Sequence, residues 1–138
     1  MGEKIKFGVV GLGHIGSRHV QCILDHPNAE LAAICDILPK QNFQVNQKDV
    51  MFFANMADLL LQNLDIISIC TPNYLHASMA IDVLNSQKHV IVEKPMALCV
   101  KDAQAVIDTS IKNNKFVFGV MQNRFSPTVM WLKKIIQE

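Results

Sequence analysis

The chain has 138 residues, half of them hydrophobic (50%), with 18% charged residues and a formal net charge of +1. That length suits one domain with enough apolar side chain to bury a real core. The near-neutral balance, with no basic cluster interleaved with aromatics, argues against nucleic acid as a partner, and Lys133-Lys134 reads as a solvated helix face. No stretch approaches the length that crosses a bilayer, and Ile5 to Val10 is too short for the apolar core of a secretory leader. A soluble, cytoplasmic protein is expected. Cys22, Cys35, Cys70 and Cys99 are widely spaced, without a C-x-x-C pair, so buried reduced thiols are expected rather than a metal site or disulfides.

The chain opens on Ile5-Lys6-Phe7-Gly8-Val9-Val10, a run of β-forming residues that meets Gly11-Leu12-Gly13-His14-Ile15-Gly16. In a G-x-G-x-x-G turn between strand and helix, the first glycine permits the tight turn. The second lets a pyrophosphate approach the backbone, and the third lets the helix pack closely on the strand. Gly11, Gly13 and Gly16 take these roles here, with Leu12, His14 and Ile15 offering backbone N–H groups at a helix N-terminus.

Ile15, His19, Cys22 and Ile23 recur at helical spacing and predict a helix to about His26, stopped by Pro27-Asn28. His14 and His19 read as packing or surface residues on that helix. Glu30 to Cys35 reads as a buried strand with Asp36 at its end, 20 residues beyond Gly16. A dinucleotide fold places a ribose-binding carboxylate there. A carboxylate repels a 2′-phosphate and no Arg follows at Ile37 or Leu38, so NAD is expected over NADP.

Pro39 to Gln47 is expected as a short polar helix, Val50 to Phe53 as a strand, and Met56 to Leu61 as a brief helix capped by Asn55. Asp65 to Cys70 is the clearest buried strand. It stops at Thr71-Pro72-Asn73, where Asn73 can cap a helix over Tyr74–Asn85 with Leu75, Met79, Val83 and Leu84 as its inner face. A strand over Lys88–Val92, a helix over Lys101–Asn113, a strand over Phe116–Val120 and a helix over Pro127–Gln137 complete the chain. Strands alternating with helices predict a doubly wound, mostly parallel α/β sheet of Rossmann type with helices on both faces.

Ligands of such sheets bind beyond the carboxyl ends of the strands. Asp36, Thr71, Asn73, Glu93, Lys94, Gln122, Asn123 and Arg124 all follow predicted strands and so share that edge. Hydride transfer from a carbinol needs a group that takes the hydroxyl proton and holds the oxyanion. Lys94 suits this role, because a lysine in a partly dry cleft can have its pKa lowered. Pro95 holds Lys94 extended, and Glu93 could bond a ribose hydroxyl or orient the lysine.

Residues 5–16, Asp36, Cys70-Thr71-Pro72-Asn73-Tyr74-Leu75-His76-Ala77, Val92-Glu93-Lys94-Pro95 and Asn123-Arg124-Phe125-Ser126-Pro127 together resemble the glucose–fructose oxidoreductase / inositol dehydrogenase (Gfo/Idh/MocA) family. The resemblance covers essentially the whole chain. It implies an N-terminal NAD-binding domain of a dehydrogenase acting on sugars, polyols or sugar nucleotides. Lys94 falls on the family's active-site lysine and Glu93 beside the nicotinamide ribose. Thr71, Pro72, Asn73 and His76 fall on the loop lining the cofactor, although by itself His76 reads as a helix-face histidine. Gln122 and Arg124 join the same binding shell.

The segment Val120 to Pro127 with Trp131-Leu132-Lys133 is similar to a narrower branch, which oxidises C3 of UDP-N-acetylglucosaminuronic acid in surface-polysaccharide synthesis. Family members run to more than twice this length. The resemblance therefore implies that residues 1–138 are the cofactor domain, with 121–138 starting the crossover to an absent C-terminal α+β domain. Negligible activity is expected of this piece alone, and oligomers only of a full-length protein. The alternatives are a non-catalytic NAD(P)-sensing module and a Rossmann-like transferase domain holding another adenosine cofactor.

Overall fold

The computed structural model describes residues 3–43, 45 and 49–137. Six strands form one sheet: β1 (Ile5–Val10), β2 (Ala29–Cys35), β3 (Met51–Phe53), β4 (Ile66–Ile69), β5 (His89–Val92) and β6 (Val117–Gly119). Their order is β3-β2-β1-β4-β5-β6 and every pair is parallel. Parallel neighbours cannot be joined by tight turns, so helices make the crossovers: α1 (His14–Asp25), α2 (Met56–Leu60), α3 (His76–Asn85) and α4 (Val100–Asn113), with α5 (Pro127–Gln137) following β6. All six carboxyl ends lie on one edge. The chain turns outward from β1 to β2 and β3, then returns to the other side of β1 at β4, which opens a crevice between β1 and β4.

Two apolar layers flank the sheet. On one face Ile67, Ile69, Val90 and Val92 pack under Val83 and Leu84 of α3, Val106 of α4 and Leu59 of α2. On the other, Val9, Leu31 and Ile34 meet Val20 and Ile23 of α1. Side chains such as Ile34, Ile67, Ile69 and Leu84 are withdrawn fully from water, each worth about 1.5–3 kcal/mol.

The predicted elements all form except one. Only a single 3-10 turn, Lys40–Asn42, occupies the start of the expected Pro39–Gln47 helix; positions 44, 46 and 47 lie outside the described residues. Asn55 caps α2 as expected, its side chain accepting from Asp58 N at 2.9 Å. Asn73 makes no cap bond. Pro72 instead leads into a 3-10 turn over Asn73–Leu75, and α3 starts only at His76. The late start moves the buried stripe to His76, Ala80, Val83 and Leu84, leaving Leu75 and Met79 half-buried on the crevice side. The stripe of α1 is displaced in the same way, to Gly16, Val20 and Ile23, so Cys22 faces solvent. Cys99 is exposed too, and its sulfur accepts from Asp102 N at the start of α4. Only Cys35 and Cys70 match the expectation of withdrawn thiols. All four are unpaired, and no cluster of metal-ligating side chains occurs among the described residues. No described helix is long and apolar enough to cross a membrane. The helix α5 carries Met130, Trp131, Ile135 and Ile136 and buries none of them.

Candidate functional site

The glycine turn between β1 and α1 shows three different constraints. Gly11 has φ +85°, a left-handed conformation, and a Cβ there would lie 2.7 Å from the Cys70 carbonyl oxygen. Both the angle and the space demand glycine. At Gly13 a Cβ would meet nothing within 4 Å, so the ground above this backbone is open. At Gly16 a Cβ would collide with the Gly11 carbonyl, which fixes how closely α1 lies on the end of β1.

Gly13 is also the N-cap of α1, and α1 has neither a side-chain cap nor an acidic residue in its first turn. In contrast, α2 and α4 are capped by Asn55 and Cys99. The first N–H groups of α1 are thereby left for an anion, at the end where the helix dipole favours negative charge. His14 is exposed and Ile15 half-buried beside this opening. The neighbouring Leu12 is buried in the α1 layer, and its backbone N–H, expected to face the phosphates, is instead taken by the Asp36 carboxylate.

Asp36 stands at the carboxyl end of β2. Its Oδ2 accepts from Leu12 N at 2.7 Å and its Oδ1 from Leu38 N at 2.9 Å. The carboxylate is held at the rim of the glycine turn with a lone pair spare on each oxygen. A crevice of about 580 Å³ connects these parts, with Gly11, Gly13 and Asp36 on one side and Thr71, Pro72 and Met79 on the other. Its walls are mainly apolar, as suits a purine and its ribose. Uncovered backbone at Gly13, an uncapped helix end and an anchored carboxylate fit a dinucleotide.

The β4 and β5 side of the edge is tied together by His76. Its Nδ1 lies 2.7 Å from the Pro95 carbonyl and its Nε2 2.8 Å from the Thr71 carbonyl, with the ring 1% exposed. His76 thus acts as a staple between the two loops rather than as a side chain lining the crevice. Thr71 turns its hydroxyl to Met79 Sδ at 3.4 Å, and Asn73 is exposed.

Beyond β5, Lys94 is exposed and precedes a cis bond to Pro95. Glu93 is 7% exposed and does not reach outward: its Oε2 accepts from Lys94 N at 3.1 Å and its Oε1 from His19 Nε2 at 3.0 Å. Gln122 and Arg124 are exposed in the turn after β6, and the Arg124 guanidinium lies 5.9 Å from the Phe125 ring centre. These two share the edge with the other candidates but do not line the crevice described here.

Sequence reasoning missed His19 and Ser68. His19 was expected to pack or face solvent, yet its Nδ1 lies 2.6 Å from Ser68 Oγ on β4 and its Nε2 reaches Glu93. No local signal in the chain relates positions 19, 68 and 93. Two thiols near the site are chemically quiet. Burial, followed by the charge of neighbouring Asp36, pushes the Cys35 thiol up to about 11. Burial, helped by the charge of Glu93, pushes Cys70 up to about 12. Both remain protonated near neutral pH.

A parallel sheet in this strand order, with a three-glycine turn at its switch point and a carboxylate closing the second strand, defines a Rossmann-type dinucleotide-binding domain. Residues 5–120 match the NAD-binding Rossmann-fold domain of an oxidoreductase family, and the chain belongs to that family, Gfo/Idh/MocA. The chain is 30% identical over 141 residues to inositol 2-dehydrogenase of Salmonella typhimurium strain LT2, covering 96% of this chain and 41% of that protein. A glycosyl hydrolase family 109 protein of Shewanella baltica is 35% identical over 128 residues, covering 82% of this chain and 27% of the relative. Two solved structures are similar along nearly the whole chain. The WlbA dehydrogenase from Chromobacterium violaceum, in complex with NADH and UDP-GlcNAcA, superposes with a TM-score of 0.92 at 34% identity, over 99% of this chain and 41% of that one. The Bordetella pertussis WlbA dehydrogenase, with the same two ligands, gives 0.93 at 35% identity, over 99% and 42%. The chain thus spans about two-fifths of the length of the inositol 2-dehydrogenase and WlbA proteins it matches.

Proposed function

We propose that this domain holds NAD along the carboxyl edge of the sheet and serves a dehydrogenase of sugars, polyols or sugar nucleotides, with a UDP-linked hexosaminuronate as the favoured substrate. The observation that carries the cofactor reading is the open, uncapped N-terminus of α1 at Gly13, beside a carboxylate already anchored to Leu12 N. The substrate reading is supported by the likeness to the WlbA dehydrogenases, whose structures hold NADH and UDP-GlcNAcA. In this reading, Gly13 and the first turn of α1 hold the pyrophosphate and Asp36 takes the adenosine ribose hydroxyls. Thr71, Pro72 and the staple at His76 shape the wall toward the nicotinamide.

NAD when bound supplies the hydride acceptor. The chain's own contribution is to orient that acceptor and to present the Lys94 amine, whose neutral form accepts the proton of a substrate hydroxyl and becomes the ammonium. Near an alkoxide, the Nζ group donates a charge-assisted hydrogen bond and stabilises the developing negative charge. The 138 residues supply the cofactor side of such a site. The substrate side belongs to the additional length of the relatives, so turnover by this chain alone is expected to be negligible.

Fluorescence titration of the chain with NADH and NADPH tests the core of the proposal. NADH is expected to bind at least about tenfold more tightly, the equivalent of about 1.4 kcal/mol. Equal affinity for the two, or preferential binding of S-adenosylmethionine in the same titration, would overturn it.

A further inference from the structure

We propose that His19 is a positioning residue that locks the backbone of Lys94 to the phosphate-binding helix; this rests on the reading of Lys94 as the proton-handling group. His19 projects from α1, the helix whose N-terminus faces the open ground at Gly13. From there it crosses to two further segments, bonding Ser68 Oγ of β4 at 2.6 Å and Glu93 Oε1 after β5 at 3.0 Å. Glu93 passes the constraint on, because its second oxygen accepts from Lys94 N at 3.1 Å. The helix that holds the cofactor phosphates and the residue that would hold the substrate proton are therefore joined by two side chains and one backbone N–H, with Ser68 bracing the histidine from β4.

The donor inventory fixes the direction of the bond to Glu93 and, for a neutral ring, that of the bond to Ser68. A carboxylate only accepts, so the Nε2 of His19 carries the proton and donates to Glu93. Nδ1 of the neutral ring is then an acceptor, and the Ser68 hydroxyl donates to it. Each partner is satisfied, consistent with the absence of unpaired buried side-chain polar atoms among the described residues.

A serine, a histidine and a carboxylate in sequence also form a nucleophilic relay in hydrolases. Ser68 cannot serve as a nucleophile here. It sits within β4 at 0% exposure, with its hydroxyl closed off from solvent. The Glu93 carboxylate is 10% exposed and the His19 ring 19% exposed. Taking away the His19 donor would leave a nearly buried charge with one fewer partner, and it would turn toward solvent, releasing Lys94 N.

The test uses the 138-residue chain in NMR, with no need for substrate. In the wild type, long-range proton–nitrogen spectra are expected to show His19 Nε2 protonated and Nδ1 bare. In His19→Phe, which keeps the ring shape and removes both polar atoms, the Lys94 amide resonance is expected to move. In His19→Gln, which keeps an N–H donor, it is expected to return toward the wild-type position. A bare Nε2 in the wild type, or a Lys94 amide unmoved in a folded His19→Phe chain, overturns the inference. If His19→Phe fails to fold, the wild-type tautomer and the His19→Gln spectrum still decide it.

A parallel NADH titration separates the two readings. No NADH binding by the wild type removes the cofactor reading, and this inference with it. Binding retained beside an unmoved Lys94 amide removes this inference alone. In a dehydrogenase containing the domain, His19→Phe is expected to lower kcat about tenfold to a hundredfold with the KM for NAD unchanged, the signature of a misplaced group rather than a lost binding contact. An unchanged kcat contradicts the proposal.

Discussion

Replacing Gly13 and Gly16 by alanine, one at a time, separates the binding role of the turn from its structural role. Alanine at Gly16, inside α1, carries an intrinsic helix advantage of about 0.8–1 kcal/mol over glycine. Its Cβ, however, would collide with the Gly11 carbonyl oxygen and lie 2.8 Å from the Gly11 carbon. Both are backbone atoms that cannot rotate aside. Overpacking of this kind costs about 1–3 kcal/mol and more when backbone must shift, so collision wins. A net loss of about 1–2 kcal/mol follows, read as a Tm lowered by roughly 3–8 °C for a domain of this size.

Alanine at Gly13 meets nothing within 4 Å, and the backbone there, at φ −61° and ψ −164°, is open to an L-residue. Stability should fall by only about 0.5–1 kcal/mol, because alanine is a poorer N-cap than glycine but no atom is displaced. The new methyl would stand where phosphate oxygens approach, and the affinity for NADH should fall at least about tenfold. Thermal unfolding and NADH fluorescence titration on both variants give a crossed pattern. A Gly16→Ala chain more stable than wild type, or a Gly13→Ala chain with undiminished NADH affinity, would refute the reasoning.

Three further outcomes follow from the same geometry. Asp36→Ser is expected to weaken NADH binding and narrow its preference over NADPH, because the charge that repels a 2′-phosphate is gone; an unchanged ratio in paired titrations counts against the ribose role. In a dehydrogenase containing the domain, Lys94→Met is expected to lower kcat about 10²–10⁴-fold while NADH binding survives, and steady-state kinetics beside titration check this. His76→Leu removes the buried ring that bridges the Thr71 and Pro95 carbonyls, leaving at least one of them without its donor, and should cost about 1–3 kcal/mol in urea unfolding.

The thiols supply the pH prediction. Cys35 and Cys70 are raised from 9.0 to about 11 and about 12, so the unfolded chain gives up these protons first as pH rises. Their contribution to stability is whole below pH 9 and is lost between pH 9 and about 12. Lys88, lowered by burial and by Lys115, works in the opposite sense but is only half-buried. At pH 8 a thiol reagent should modify Cys22 and Cys99 quickly and the other two only on unfolding.

The strand pattern was legible because the buried parallel strands are short apolar runs ending at polar residues, as at Asp65 to Cys70. Less legible was which face each helix turns inward. In α1 the first inward position is Gly16 and in α3 it is His76. Neither carries a hydrophobic signal, so a search for apolar periodicity was one residue out of phase at the start of both helices, while Ile23, Val83 and Leu84 nearer their ends turn inward as expected. The edge residues were found because the rule for parallel sheets needs only strand ends. The link through His19, Ser68 and Glu93 could not be read, because it joins three segments whose adjacency exists only after the sheet has assembled. Glu93 was expected to bond a ribose hydroxyl or to orient Lys94; its carboxylate accepts from Lys94 N and turns inward to a histidine on another layer.

The placement of β1 against β4 has a consequence for how the site comes into being. Phe7 pairs with Ile66 and Val10 with Ile69, so the two walls of the crevice are contributed by segments some 59 positions apart in the chain. Beyond its own left-handed φ, Gly11 owes its lack of space to the Cys70 backbone, 59 positions on in the chain. A chain that has formed the β1–α1–β2 unit has every glycine of the turn but only half a binding crevice. Closing so long a loop before its contacts repay the lost entropy is a slow, late event in folding. Cofactor capture therefore reports completion of the sheet, and a dinucleotide in solution stabilises only molecules that have passed that point.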